Sequence, residues 1–459
     1  MAEPQQNPGS GNSGAKTGLG IVFLTIFIDL VGFSIIFPLF PDMLDYYLDK
    51  EAATDGAGLL SSLLANIPDQ PLAGGLDVRT VLFGGVLGSL YSLLQFIFSP
   101  IWGGLSDRIG RRRVLQYTVA STAVGYALWV FSGNFWLLVL SRVIAGIASG
   151  NIAVATAAVA DLTSRENRSK GMALVGIAFG LGFVVGPAIG GLSAAWSADW
   201  DGFGLNPFSF PALISLGLAL LNLLQIQRRF KETLPDKVTA DAGSPPARDL
   251  GRYPIFSLLR AGTRPIMLLC LLHLIFFTVF SGMEFTLTFL AKERLGFDAR
   301  FNGYMFIVIG ITMILVQGIL VRRLAKPLGE SKLTLAGILF AMAAFWLLAT
   351  APPIHVKDFF SANFFQSQFL WGLVCMSCAI GLVSPCISAL VSLHSPADQQ
   401  GRNLGLLRSA GALARVIGPV LAASLYFMKT AELAYKVGAC ILTLPFVLTL
   451  FVKSPSQKN

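Results

Sequence analysis

Gly103-Gly104-Leu105-Ser106-Asp107-Arg108-Ile109-Gly110-Arg111-Arg112-Arg113 stands between two long apolar runs. Its glycines permit a tight turn and close helix approach. Asp107 supplies a carboxylate that can cap a helix N-terminus or pair with an arginine, and such contacts can latch one half of a molecule against the other. The flanking runs, roughly 79–103 and 114–132, are long enough to cross a bilayer, which takes about 20 apolar residues. A short polar string between two such runs is the connection of a membrane helix pair.

The same pattern recurs from end to end. The 459 residues are 54% hydrophobic and 13% charged, and the mean hydropathy is +0.67. A soluble domain carries about 25% charge, so this chain is built for lipid. Twelve spans are predicted, at roughly 18–40, 79–103, 114–132, 135–160, 170–195, 207–228, 264–290, 301–321, 332–350, 365–391, 403–428 and 433–452. Backbone groups in lipid must be satisfied internally, so each is read as a helix and the fold class as all-α. The first seventeen residues are polar and the first apolar run is too long for a signal-peptide core, so it is read as the first span.

Charge sets the expected orientation. The net charge is +9, but the basic residues form no single patch of the kind that binds nucleic acid. They gather in alternate loops. With both termini in the cytosol, 23 of the 34 Lys and Arg fall on the cytosolic side, eight on the opposite side and three inside spans. Asn167-Arg168-Ser169, a glycosylation triplet, then lies in the cytosol and should stay unmodified. Residues 41–78 read as an outer loop. Residues 229–263, with Gly243-Ser244-Pro245-Pro246, read as a cytosolic linker. The expected organisation is a disordered N-terminus (1–17), a six-helix bundle (18–228), the linker (229–263), a second six-helix bundle (264–452) and a cytosolic tail (453–459).

The halves also resemble each other. Span five contains Gly186-Pro187 and span eleven Gly418-Pro419, each a similar distance beyond a short polar loop with Ser and Arg. Span two leaves through Gly103 into Asp107-Arg108, and span eight through Gly318 into Arg322-Arg323. A repeat about an axis along the membrane normal is how a two-bundle transporter is built.

On these residues the chain resembles the major facilitator superfamily, whose loop signature Gly-x-Leu-(Ala/Ser)-Asp-Arg-x-Gly-Arg-Arg is matched at every position by 103–112. Ser141-Arg142-Val143-Ile144-Ala145-Gly146 is similar to the family's intramembrane arginine motif. Gly182-x-x-x-Gly186-Pro187-x-x-Gly190-Gly191 is similar to the core of its antiporter signature, with Ala173 a departure from the upstream glycine. Glu232-Thr233-Leu234-Pro235 is also frequent there. Ile28-Asp29-Leu30-Val31-Gly32-Phe33 resembles the tetracycline/proton antiporters, although spans three and nine lack the acids those proteins carry. Met283-Glu284-Phe285-Thr286 and the run Leu407 to Arg415 resemble the animal tetracycline-transporter-like members. The resemblance implies two pseudo-symmetric bundles, a cavity lined by spans one, four, seven and ten, and export of organic anions. It makes Gly103, Asp107, Arg108, Gly110, Arg111 and Arg112 a cytosolic gate, to which Asp161 is added as a partner for the loop arginines.

Independently of any resemblance, Asp29, Arg142, His273, Glu284, Arg408 and Arg415 lie inside spans. Each costs about 2.5–3.5 kcal/mol or more at mid-bilayer, so each should face a cavity or a partner. At about 1.5 Å per residue, depth permits Asp29–Arg415 and Arg142–Glu284 pairs. Asp29 and Glu284 are the candidate proton sites and Arg142, Arg408 and Arg415 the candidate coupling partners. Permanent structural ion pairs are the alternative. His273 reads as a hydrogen-bonded packing residue. Three arginines against two carboxylates suit an anionic solute. Tyr91, Gln95, Tyr126, Tyr304 and Gln317 are polar enough to line a cavity.

No ATP-binding string, metal-ligand cluster or cofactor motif appears, and no nucleophile–base constellation of an enzyme. Cys375-x-x-Cys378 falls in an apolar run and reads as helix packing. The sequence therefore predicts a monomeric multi-pass transporter of a small organic solute, an organic anion or an amphipathic drug-like molecule, coupled to proton antiport. A uniporter with structural charges and a non-transporting membrane receptor are the rival readings.

Overall fold

The structure is a computed structural model and describes residues 10–36, 39–52, 78–194, 196, 200, 202–234, 263–296, 299–354 and 366–452. Most of the linker, the tail, Pro38 and the first nine residues lie outside the described residues, as do the side chain of Tyr304 and the surroundings of Gly191.

Helices run through the described parts of the expected spans. They are α1 (Ser10–Ser34), α2 (Phe40–Ala52), α3 (Val78–Ile109), α4 (Arg111–Val130), α5 (Phe135–Ala148), α6 (Asn151–Leu162), α7 (Arg168–Ala194) and α8 (Ser209–Arg229) in the first half. The second half holds α9 (Arg264–Leu295), α10 (Ala299–Leu315), α11 (Arg322–Leu328), α12 (Glu330–Thr350), α13 (Gln368–His394), α14 (Gln400–Met428), α15 (Ala431–Ile441) and α16 (Thr443–Leu450). Among the described residues, nine stretches of helix are long and apolar enough to cross a membrane. The outer surface matches: Trp136, Leu192, Leu221, Ile311, Trp346 and Trp371 are all exposed, a surface that suits lipid.

Four local features differ from the sequence reading. The expected outer loop begins with a helix, α2. Met43 and Tyr47, one turn apart on it, are buried, and the Tyr47 hydroxyl donates to the Ser132 carbonyl at 2.7 Å. Span four is interrupted at Ser149-Gly150, between α5 and α6. The turn frees the Ile147 carbonyl, which accepts from Trp102 Nε1 at 2.7 Å, and the missing Cβ of Gly150 leaves room for the Trp102 ring. Span eight contains a π turn over Val316–Val321, which inserts one extra residue per turn. Span twelve breaks at Leu442.

The repeat is visible in packing. Gly182 and Gly186 of α7 seat against Leu30, Val31 and Ser34 of α1, and Ser34 Oγ donates to the Gly182 carbonyl at 3.0 Å. In the second half, Gly418 of α14 seats against Thr278 and Gly282 of α9. The Gly-Pro pairs of spans five and eleven thus hold spans one and seven by the same device, a helix contact too close for any Cβ.

The two halves meet along two seams. In the first, Gly405 of α14 lies on the Ser99 carbonyl and Pro100 of α3, and Ser409 Oγ donates to the Phe96 carbonyl at 2.5 Å. In the second, Gly176 and Gly180 of α7 lie against Gln317 and Met313. Arg165 also donates to the Leu393 carbonyl at 2.9 Å. These contacts gather toward the end that carries the Gly103–Arg113 loop, here termed the basic end.

Candidate functional site

At the basic end the loop string folds into a latch. Asp107 Oδ1 accepts from Gly401 N at 2.9 Å and Oδ2 from Arg402 N at 2.8 Å. These are first-turn donors of α14, which have no partner inside the helix, and the carboxylate meets the positive end of its dipole. Arg111 binds Asp107 Oδ1 at 2.6 Å and Asp161 Oδ2 at 2.9 Å, and donates to Ser106 Oγ at 2.6 Å. Its side chain is fully buried. Burial alone would lower its pKa; the two carboxylates outweigh that and hold the guanidinium above its usual value.

Gly110 has φ 99°, open to glycine and strained for other residues. It also leaves room for the Glu232 carboxylate, which accepts from Arg111 N at 2.8 Å and Arg112 N at 3.1 Å. Glu232, at the end of the first half, thereby caps α4. Arg112 donates to the Gln227 carbonyl at 2.6 Å, whereas Arg108 is exposed to solvent. Thr233 Oγ1 donates to Asp161 at 3.2 Å. The loop, Asp161 and the Glu232 segment form one network, and Asp107 carries its hydrogen bonds across to the second half.

The intramembrane charges form two further groups. In the first, Asp29, Phe33, Tyr91, Thr122, Tyr126, Arg142, Ala145, Ser149 and Asn151 line a cavity of about 10 Å³ inside the first half, room for about one water. Asp29 is hydrogen-bonded to Asn151, the first residue beyond the break in span four. Arg142 sits over the rings of Trp129 (4.9 Å) and Tyr126 (5.9 Å). The glycines of α7 fix α1 beside Leu30 and so fix the depth of Asp29.

The second group faces the space between the halves. Arg415 Nη2 donates to Gln95 Oε1 of α3 at 2.5 Å and lies within electrostatic reach of Glu284. Both Arg415 and Glu284 are solvent-exposed although they sit on helices of the bundle interior. Arg415 thus reaches across to the other half. Arg408 Nη2 reaches Thr156 Oγ1 of α6 at 3.4 Å and stacks over Phe179 of α7 at 5.1 Å. His273 lies between the two arginines, in the field of both. Tyr91 connects the groups: it is hydrogen-bonded to Ser149 and within electrostatic reach of Asp29, Arg142 and Arg415.

The pairs that depth alone permits do not form. Among the described residues no carboxylate lies within ion-pair distance of Arg142, Arg408 or Arg415. Asp29 shares its cavity with Arg142, and Glu284 faces Arg415. Depth gives one coordinate of a side chain; which helix face it leaves from decides the partner. Asn151, Thr156 and Trp129 are site residues that sequence reasoning did not single out, and Glu232 was noted only within a string frequent in the family. Asn151 alone had a signal, a polar residue after Ser149-Gly150 in an apolar run.

Residues 22–419 match the family description Major Facilitator Superfamily, and the chain belongs to that family of membrane transporters. It is 34% identical over 458 residues to Major facilitator superfamily domain-containing protein 10 of Bos taurus, covering 96% of this chain and 93% of that protein. It is 30% identical over 406 residues to Tetracycline resistance protein, class E, of Escherichia coli, covering 88% and 87%. The crystal structure of the human organic anion transporter MFSD10 (TETRAN) superposes with TM-score 0.76 at 30% identity, over 97% of this chain and all of that one.

Proposed function

We propose that the chain is a twelve-helix secondary transporter that exchanges a small organic anion for protons by alternating access. Its basic end and both termini face the cytosol. The observation that carries the reading is Arg415: a guanidinium open to the central space, held across the halves by the neutral Gln95, with Glu284 as the carboxylate in reach. An acidic solute that takes Arg415 changes the proton affinity of Glu284, and that shared arginine couples the two ions.

Asp29 is the second proton position. Its small cavity admits a water but no solute, and Tyr91 gives it an electrostatic connection to Arg415. The seams joined at the basic end, with Arg415 and Glu284 exposed, correspond to the form closed to the cytosol. The names of two relatives, an organic anion transporter and a tetracycline resistance protein, agree with a drug-like anionic cargo. The protein is proposed to work as a monomer, since one chain contains both halves of the central space.

The test is an uptake screen of organic anions in proteoliposomes with an imposed pH gradient. Accumulation that follows the gradient and collapses with a protonophore is expected. Accumulation indifferent to the gradient would leave a uniporter in which the acids are structural.

A further inference from the structure

Arg408 and Arg415 leave the same face of α14, seven residues apart, which sets their Cα atoms about 10 Å apart along the helix. They meet different surroundings. Arg415 is exposed, with Glu284 in its field. Arg408 is half-buried at the seam, against the Thr156 hydroxyl and the Phe179 ring. Arg415 repels it, and among the described residues no carboxylate pairs with it. An arginine deep in a membrane protein without a counter-charge is costly and marks a place for an anion.

The gap between the two arginines is filled. Gly411 lies between them in sequence, and its missing Cβ lets His273 Nε2 approach to where a Cβ would stand 2.8 Å away. The ring is 3% exposed and stacks on Phe277 at 4.2 Å. His273 therefore keeps the guanidinium groups from closing on one shared carboxylate. They are two separate acid-binding positions with a filled stretch of helix surface between them.

We propose that the cargo is a two-headed organic anion, with one acidic group on Arg415, the second on Arg408 and an uncharged, apolar or aromatic middle spanning the stretch between them. The inference rests on the anion-transport reading and sharpens it to a dianion of defined length. In the form closed to the cytosol Arg415 takes the first acidic group. Arg408 becomes available for the second as its contacts with Thr156 and Phe179 loosen.

The test uses purified full-length wild-type protein and thermal-shift titration, in which a ligand of the native state raises the melting temperature according to its affinity. The probes are α,ω-dicarboxylates from succinate to dodecanedioate, each beside the monocarboxylate of equal length. A second charge-assisted contact contributes about 1.5–3 kcal/mol, so the dicarboxylate whose carboxyl groups stand about 10 Å apart should bind at least about tenfold tighter than its monocarboxylate. Shorter dicarboxylates should show no such gain. In Arg408→Gln the optimal dicarboxylate should fall to the affinity of the monocarboxylate. Equal affinity of the two series at every length overturns the two-headed cargo and leaves the anion reading standing. No stabilisation by any carboxylate overturns both. The length comparison is made on wild type and does not depend on a variant folding.

Discussion

Gly103 and Gly401 lie backbone to backbone across the two halves of the molecule: the carbonyl oxygen of each occupies the space where a Cβ of the other would stand. Next to that contact, Asp107 caps the helix that Gly401 begins. The halves are thus joined at the basic end by shape and by charge together. In this account that junction must open for solute to reach the cytosol.

A methyl group at Gly401 would collide with the Gly103 carbonyl, with Arg111 Nη1 and with Asp107 Oδ1. Overpacking of this kind costs about 1–3 kcal/mol, and here the cost falls on the joined form alone. Gly401→Ala should shift the population toward the form open to the cytosol by roughly 5- to 150-fold. Ser99, buried in the seam, supplies the reporter. A cysteine introduced by Ser99→Cys should react faster with an impermeant maleimide from the cytosolic side in the Gly401→Ala background. An unchanged rate would mean that the seam does not gate access.

Asp107→Asn keeps an acceptor oxygen but loses the ion pair with Arg111 and the charge facing the α14 dipole. Breaking a buried pair costs about 3–5 kcal/mol. Asp161 still compensates Arg111, so the lower end is expected. Transport should fall by at least about tenfold and labelling at Ser99→Cys should rise as in Gly401→Ala. Transport at the wild-type rate would remove the latch from the mechanism.

Glu232→Ala removes the acceptor for two N–H groups at the start of α4. Loss of a helix cap costs about 1 kcal/mol, so the melting temperature should drop by about one degree. Because Glu232 stays within one half, seam labelling should stay at the wild-type rate. A large increase would show that the cap is part of the gate.

Gly411→Ala pushes a methyl group onto His273 Nε2. The predicted cost is again about 1–3 kcal/mol, read as lower stability and weaker anion binding. In His273→Ala/Gly411→Ala the collision is absent, so the double variant should bind anions better than Gly411→Ala alone. Strict additivity of the two substitutions would show that the residues do not interact.

Much of this was legible in the sequence, and the limits have a physical pattern. The string Gly103–Arg113 carries its own chemistry: Asp107 was read as a cap or an arginine partner, and it acts as both. Asp161 was read as a partner for the loop arginines and meets Arg111. The far side of the latch, Gly401 and Arg402, was not legible, because nothing local marks a residue nearly three hundred positions away as a neighbour. Helical rise gives depth but not which bundle face a side chain leaves from, so the permitted Asp29–Arg415 and Arg142–Glu284 pairs resolve into an Asp29–Arg142 cavity and an Arg415–Glu284 neighbourhood. His273 was read as a packing histidine, and its ring does pack on Phe277. Its place between two arginines depends on Gly411, on another helix.

The account stands most directly on Glu284. In proteoliposomes carrying a trapped pH-sensitive dye, addition of a transported organic anion to wild type should move protons as the anion crosses. In Glu284→Gln the anion should still exchange while the pH trace stays flat. Anion flux without proton movement in wild type, or an undiminished proton signal in Glu284→Gln, would contradict it.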